Sequence, residues 1–409
     1  MTEKHILIIG GFRFMHQYMQ NLPNVTTSLL HYTNKIRAND CQRNRYVLGA
    51  PSESEWLPLA RALHQIAPID AIACFDDETQ HIAAQIGQAL HIGYHSPETI
   101  AAVQNKVVMR RKLAAADLDW TAARPVESAQ DIQGFAQEHG FPLILKPQDG
   151  QGSTGIAKIA DQAAIAPALE AVRAASAAPL VVETMLQGPE FSVEAFSEGG
   201  EHQILTVTRK FKDPATFVEQ GHVMPAELPE RERAQIERFV TALLTALDVR
   251  SGPSHTELIL TADGPQVVET HLRTGGDFIP EMLADISGVD MLALAARQLA
   301  GEAVLPEIRR LLAGPAPQAP YAAVHFRTDA VYGVLNEIGG VEAAQAMDGV
   351  RQVFALQSPQ SAIRPARSSF ERLAMARATG ATAAEALERA RAAAAALAIS
   401  VVLDGQAVM

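Results

Sequence analysis

The stretch "HTELILTADGPQVVETHLRTGGD", residues 255–277, decides how this chain is read. Two β-like runs flank Ala262-Asp263-Gly264-Pro265, a turn composition, so the segment predicts a hairpin. Glu257 lies on its first strand. Glu269, His271 and Arg273 follow at period two on the second, which puts them on one face. Cross-strand pairing can bring Glu257 beside Glu269. Two adjacent carboxylates repel unless a cation sits between them. Mg²⁺ suits that place, because it takes hard oxygen ligands and binds one or two carboxylates together with nucleotide phosphates. Beyond Arg273, Gly275 and Gly276 offer bare backbone N–H groups beside a guanidinium, a corner able to hold a carboxylate or a developing phosphorylated intermediate. An ordinary surface hairpin would leave two acids, a histidine, an arginine and a glycine pair converging on one end without a reason.

Upstream, "LILKPQDGQGSTGI", residues 143–156, poses a related question. An apolar run leads into Lys146, and a loop follows with Gly150, Gly152, Ser153 and Gly155. Backbone N–H groups of such a loop can surround phosphate oxygens while the ammonium neutralises their charge. The lysine precedes the glycines, so this is not the P-loop pattern. A tight Gly-rich turn with a surface lysine is the competing reading of this segment taken alone.

The wider composition limits the choices. The chain has 409 residues, 48% apolar and 20% charged, which is ordinary for a globular protein of two to four domains or subdomains. Net charge is −12 without a basic block, so neither a nucleic-acid nor a membrane partner is expected. The two cysteines, Cys41 and Cys74, show no metal spacing and fit a reducing cytoplasm; no signal peptide and no membrane-spanning run is evident. "HILII" (5–9), "RNRYVLGA" and "IDAIACFDD" alternate with helical stretches and predict an α/β layer with a parallel sheet. The Gly10-Gly11-Phe12 turn lacks a dinucleotide fingerprint and reads as a tight βα turn. "SPETIAAVQNKVVMRRKLAAADL" predicts a capped helix carrying Lys106, and the middle of the chain reads as α+β. A Pro/Ala linker, residues 313–320, precedes a closing α+β segment.

The order of these parts resembles an ATP-grasp enzyme over nearly the whole chain: Lys106, Lys146, the Gly-rich loop, "VVETMLQGPEFSVEA", then the Glu257/Glu269 hairpin with Arg273. The segments "TFVEQGHVMPAEL", "SGPSHTELIL", "ETHLRTGGDFIP" and "GGVEAAQAMDGV" are similar to the L-amino acid ligase branch, the ATP-dependent dipeptide synthetases. The resemblance implies a mixed α/β and α+β ATP-grasp fold. It would comprise an N-terminal Rossmann-like α/β domain (1–100), a first ATP-grasp part (101–186) with its lid (about 118–186), a metal-binding part (187–312) and a C-terminal α+β subdomain (313–409). It also implies ATP and Mg²⁺, with two ions expected. Lys106 and Lys146 would contact the phosphates, Gly152 and Ser153 would belong to the lid, Glu183, Thr184, Met185 and Leu186 would border adenine, and Glu190 would take the ribose. Glu257, Glu269 and His271 would form the metal set. His255, Arg273, Gly275 and Gly276 would face the substrate carboxyl, Glu219 an amino group, and His222 the reacting carboxylate, with Arg273 and His222 as the catalytic pair. Many family members carry Asn where His271 stands, two residues after the second metal acid. Imidazole is a poorer Mg²⁺ ligand than an amide oxygen, which makes Mn²⁺ a fair alternative. The activity so implied is an ADP-forming carboxylate–amine ligase that joins small-molecule amino acids through an acylphosphate. A bicarbonate-using ligase and a nucleotide-binding module without catalysis remain the other readings. A homodimer is common in the fold, and the oligomeric state stays open.

Overall fold

The computed structural model describes residues 3–408 except 12, 150, 151, 153, 316, 330, 404 and 405, and leaves undescribed the side chains of 13, 14 and 406–408. Phe12 of the first βα turn and two members of the expected lid, Gly150 and Ser153, therefore lie outside the described residues.

The apolar run at the N-terminus forms the strand Lys4–Ile9, with Ile6 to Ile9 fully buried. It pairs in parallel with Val25–Tyr32 on one side and Ala71–Ala73 on the other, and Tyr46–Ala50 completes a four-stranded parallel sheet. The loop after Ala71–Ala73, at the carboxyl end of its strand, carries Asp76 and Asp77. A second four-stranded sheet, all antiparallel, has the order Ala123–Val126, Leu180–Thr184, Leu143–Pro147, Ala157–Ile159. Lys146 therefore sits on an inner strand with its stem buried.

The segment after Ser96 folds as two helices rather than the single one expected from its periodicity. Ser96 caps Pro97–Gln104 by accepting from the Thr99 N–H. Asn105 then leaves helical geometry (φ −114°, ψ 111°) and its side chain accepts from the N–H groups of Val107 and Val108, starting a second helix, Lys106–Ala114. An asparagine that can satisfy two orphan N–H groups competes well with helix continuation. The break turns Lys106 into the first residue of a helix whose amino end meets the hairpin.

The largest sheet has eight antiparallel strands, in the order Gly264–His271, Gly252–Thr261, Glu190–Glu198, Glu201–Lys212, Glu219–Met224, Tyr321–Arg327, Ala374–Gly380, Val350–Ala355. Glu219–Met224 pairs directly with Tyr321–Arg327, so the sheet runs through the expected 312/313 boundary without interruption. The C-terminal segment adds strands to the sheet that carries the hairpin, and its helix Ala383–Ala395 packs an alanine face against them. A smaller sheet, Ala362–Ile363, Gly333–Gly339, Ala398–Leu403 and Gln406–Val408, closes that end. Among the described residues no helix is long and apolar enough to cross a membrane.

Candidate active site

In the hairpin, Glu257 stands opposite Glu269 and His255 opposite His271, the register expected from alternation. Both carboxylates open into one cleft of about 400 Å³. The same cleft is lined by Lys106, Lys146 and Gly152 from the front of the chain, by Glu219 and His222, and by Arg273, Gly275 and Gly276. The structure thus brings together most of the residues singled out in the sequence. Glu183, Thr184, Met185, Leu186 and Glu190 lie outside that lining. Glu183 is buried beneath Lys146, while the Thr184 and Met185 N–H groups donate to Ala122 O (3.1 Å) and Pro142 O (3.2 Å). Glu190 pairs with Lys212 at 2.5 Å.

The hairpin acids are balanced by ammonium groups. Lys106 Nζ lies 3.0 Å from Glu269 Oε2, and Lys210 is ion-paired with Glu257. Burial opposes the charged form of Glu257, but Lys210, Lys212 and His255 outweigh it and hold the carboxyl well below the usual range. Burial likewise works against Glu269, where Lys106 and His271 prevail in the same direction. Lys210 also reaches Glu219 Oε1 at 2.8 Å. Burial alone would discharge it, yet its ring of carboxylates (Glu219, Glu257 and Glu190) keeps its pKa well above normal.

The two histidines are bridges. His255 Nδ1 is 2.6 Å from the fully buried Glu194 and its Nε2 is 3.2 Å from Glu257. Despite burial, those two carboxylates raise its pKa to about 9. His271, expected in the metal set, has Nδ1 3.1 Å from Asp77 and Nε2 3.3 Å from Glu269. Its pKa is raised, with burial overcome by those acids. Both ring nitrogens thus lie within hydrogen-bonding distance of carboxylates.

Arg273 is held from the loop after the strand Ala71–Ala73: its Nε and Nη2 donate to Asp77 Oδ2 at 2.9 and 2.7 Å. Burial raises the Asp77 pKa, but His271 and Arg273 reverse this and bring it to about 2. His222 Nε2 lies 2.9 Å from Asp277, which also accepts from Arg372 Nη1 at 2.8 Å. Elsewhere in the cleft wall, Lys146 Nζ is 2.6 Å from Glu183 and Arg110 Nε 3.1 Å from the same carboxylate. Arg110 is the stronger neutraliser there. Lys146 is held below the usual lysine range by burial, with Lys106 and Arg110 adding to the effect against the pull of Glu183. Asp119 takes a second bond from Arg110, Nη1 to Oδ2 at 2.8 Å, so each cation of this corner has an acidic partner.

Sequence reasoning missed Lys210, Lys212, Asp77, Glu194, Asp277 and Arg372. Lys210 and Lys212 stand at period two in "TRKFK", a spacing that could have paired them with the hairpin acids, and Asp77 sits just past a parallel strand's carboxyl end, where α/β sheets bind ligands. Arg372 joins Asp277 across 95 positions, and no local pattern announces that pair.

With this geometry, the resemblances acquire a structural meaning. The ATP-grasp domain family matches residues 139–281, and the L-amino acid ligase C-terminal domain 2 family matches residues 325–402. Over 262 residues the chain is 27% identical to an uncharacterized protein of Sinorhizobium fredii (strain NBRC 101917 / NGR234), covering 63% of this chain and 52% of that one. It is 28% identical over 186 residues to a D-alanine–D-alanine ligase of Streptomyces griseus subsp. griseus, covering 42% of this chain and 47% of the ligase. The chain thus spans about half the length of these curated relatives. The crystal structure of L-amino acid ligase from Bacillus licheniformis matches with a TM-score of 0.84 and 20% identity, over 98% of this chain and 100% of that one. The chain thus has the ATP-grasp fold, with an ATP-grasp domain match over residues 139–281 and an L-amino acid ligase C-terminal domain match over residues 325–402.

Proposed function

We propose that the protein is an ATP-dependent carboxylate–amine ligase that joins two amino acids, or an amino acid-like acid and an L-amino acid, with release of ADP and phosphate. One observation carries this reading: Glu257 and Glu269 are register partners facing a cleft rimmed by Lys106, Lys146 and Arg273.

The donor set fits a hard divalent ion. Two carboxylates line one cleft, and each is ion-paired with a lysine that phosphates or an ion would compete with. Among the described residues no group of three His, Cys, Asp or Glu is placed to hold an ion by itself, so phosphates and water would have to supply its remaining ligands. Glu257 and Glu269 would hold it, and it would neutralise the phosphate charge there. Mg²⁺ is our assignment, with a second ion or Mn²⁺ left to the titration below.

The residues divide the remaining work. Lys106 and Lys146 would take the phosphates, Gly152 and Ser153 would cover them, Glu183 to Leu186 would border adenine, and Glu190 the ribose. Arg273, with the Gly276 amide and His255 beside it, would orient a substrate carboxylate so that one oxygen attacks the γ-phosphorus and ADP leaves, whereas the Gly275 N–H already donates to Glu194 Oε2 at 3.3 Å. Glu219 would hold a substrate ammonium and His222 the reacting carboxyl group. An amine then attacks the acyl carbon, and phosphate departs with the former carboxylate oxygen. Water must be excluded while the acylphosphate exists. The test is a matrix of amino acid pairs and bicarbonate with ATP and Mg²⁺, read as ADP and product mass. Dipeptide formed in step with ADP is expected. ADP release with bicarbonate alone, or no turnover with any pair, would contradict the proposal.

A further inference from the structure

The strand Glu219–Met224 is irregular where it meets Glu201–Lys212. Lys210 lies opposite His222 and Lys212 opposite Glu219, so the strand of Gln220 holds one extra residue. A bulge of this kind re-aims side chains. Here it puts Glu219 and His222 on the face of Lys210 and Lys212, and all four line the cleft. His222 is buried, with the Phe326 ring edge-on at 6.0 Å between centroids. Its Nε2 lies 2.9 Å from Asp277 Oδ2, whereas its Nδ1 is buried and has no hydrogen-bond partner among the described residues. A buried polar atom without a partner calls for an explanation, and a reacting group is one.

Asp277 is braced from its other side. Arg372 Nη1 donates to the same Oδ2 at 2.8 Å and Nη2 pairs with Oδ1. The arginine is itself fixed: Nε donates to Ser369 O at 2.8 Å, and the guanidinium lies 3.6 Å over the Phe326 ring. Burial opposes the charge on Asp277, but Arg372 and His222 outweigh it and hold the carboxyl well below the usual range. A carboxylate only accepts, so the proton of the His222 contact sits on Nε2, and in the neutral ring the lone pair lies on Nδ1.

We propose that Asp277 is a positioning residue: braced by Arg372, it keeps the His222 proton on Nε2 and so makes Nδ1 the acceptor for the proton of the attacking amine. The inference rests on reading the chain as a ligase. The amine lone pair forms the bond to the acyl carbon, and one N–H proton passes to Nδ1. The bond from that carbon to the phosphate oxygen breaks, and its electron pair leaves with phosphate. The imidazolium faces the Asp277 carboxylate, a base oriented by an acid, until it returns its proton to phosphate or water. Activation by ATP makes no such demand, because a carboxylate attacks without losing a proton. The second half of the reaction therefore depends on Asp277 more than the first.

The experiment supplies a mixture of the L-amino acids with ATP, Mg²⁺ and hydroxylamine, so that dipeptide and acyl hydroxamate form in one sample and mass analysis gives their ratio. Hydroxylamine is unprotonated at neutral pH and needs little help from a base. Asp277→Asn is expected to lower the ratio of dipeptide to hydroxamate at least about tenfold, since an amide there can donate to Nε2 and favour the opposite tautomer. Asparagine also suits the backbone, which has φ +55° at this position. Arg372→Lys keeps a charge without the two-point grip and should lower the ratio in the same direction; it decides alone if Asp277→Asn does not fold. A parent that forms neither product removes the ligase reading itself. A parent that forms both, in a ratio that the substitutions leave alone, removes only the role of Asp277, even if both products fall together.

Discussion

Arg273 combines a permanent charge with a fixed position, since Asp77 grips two of its nitrogens from the loop after the strand Ala71–Ala73. Arg273→Ala is expected to lower kcat at least about a hundredfold, in the range for removing one oxyanion-stabilising donor, while the ATP dissociation constant changes less than about twofold. Single-turnover rates and nucleotide titration check the split, and a parallel loss of ATP affinity would move Arg273 into the nucleotide site. Glu269→Gln keeps the shape and removes the charge. Direct Mn²⁺ titration in the presence of ADP should then show loss of the nucleotide-dependent ion, with turnover abolished; unchanged metal affinity would remove the hairpin from the metal site.

At the scale of elements, local chemistry decides where charges fall. Asn105 ends one helix and begins the next, and that break sets Lys106 opposite Glu269. Asn105→Ala should cost about 1 kcal/mol, the worth of a cap, and raise the KM for ATP more than it lowers kcat. An unchanged melting profile would show that the cap carries no load. Glu183 on the strand Leu180–Thr184 shows how buried charge follows pH. Burial raises its pKa, but Arg110 and Lys146 overcome this and bring it from the ordinary 4.5 to about 2. A carboxyl held below its unfolded value stabilises the fold fully above its unfolded pKa and loses that contribution as pH falls from 4.5 toward 2. Glu183→Gln should therefore be less stable than the parent near neutrality, with the difference narrowing through that window, as denaturant titrations at stepped pH would show. A constant difference would contradict the assignment. The hairpin register and the strand bearing Lys146 were legible in sequence because alternation and turn residues are local signals. The helix break was written in Asn105 but masked by apolar periodicity running across it. The resemblance placed His271 in the metal set. Its engagement with Asp77 depends on a loop 194 positions earlier, and period-two arithmetic cannot reach it.

At the scale of the whole molecule, the eight-stranded sheet binds the C-terminal segment to the site. The strand Tyr321–Arg327 pairs with Glu219–Met224, so the strand that carries Glu219 and His222 depends on a later one for its hydrogen bonds. A chain ending at residue 312 would expose that edge and lose Arg372 and Ser369 from the cleft. Such a truncation is expected to lose cooperative unfolding and nucleotide binding together; a fragment that melts cooperatively and binds ATP would show that the boundary read from the Pro/Ala linker is a true one. The order of motifs along the sequence was enough to indicate the architecture, whereas the continuity of the sheet was not. Strand partners separated by about a hundred residues leave no periodic trace.

The central claim is that a substrate carboxylate attacks the γ-phosphorus beside Glu257, Glu269 and Arg273. Supplying an amino acid substrate with both carboxylate oxygens as ¹⁸O, together with ATP, Mg²⁺ and an acceptor amino acid, follows the oxygen itself. The account predicts that mass analysis of the released phosphate finds one ¹⁸O per phosphate, in step with ADP. Unlabelled phosphate released at the same rate would mean that water, and not the carboxylate, opens the triphosphate.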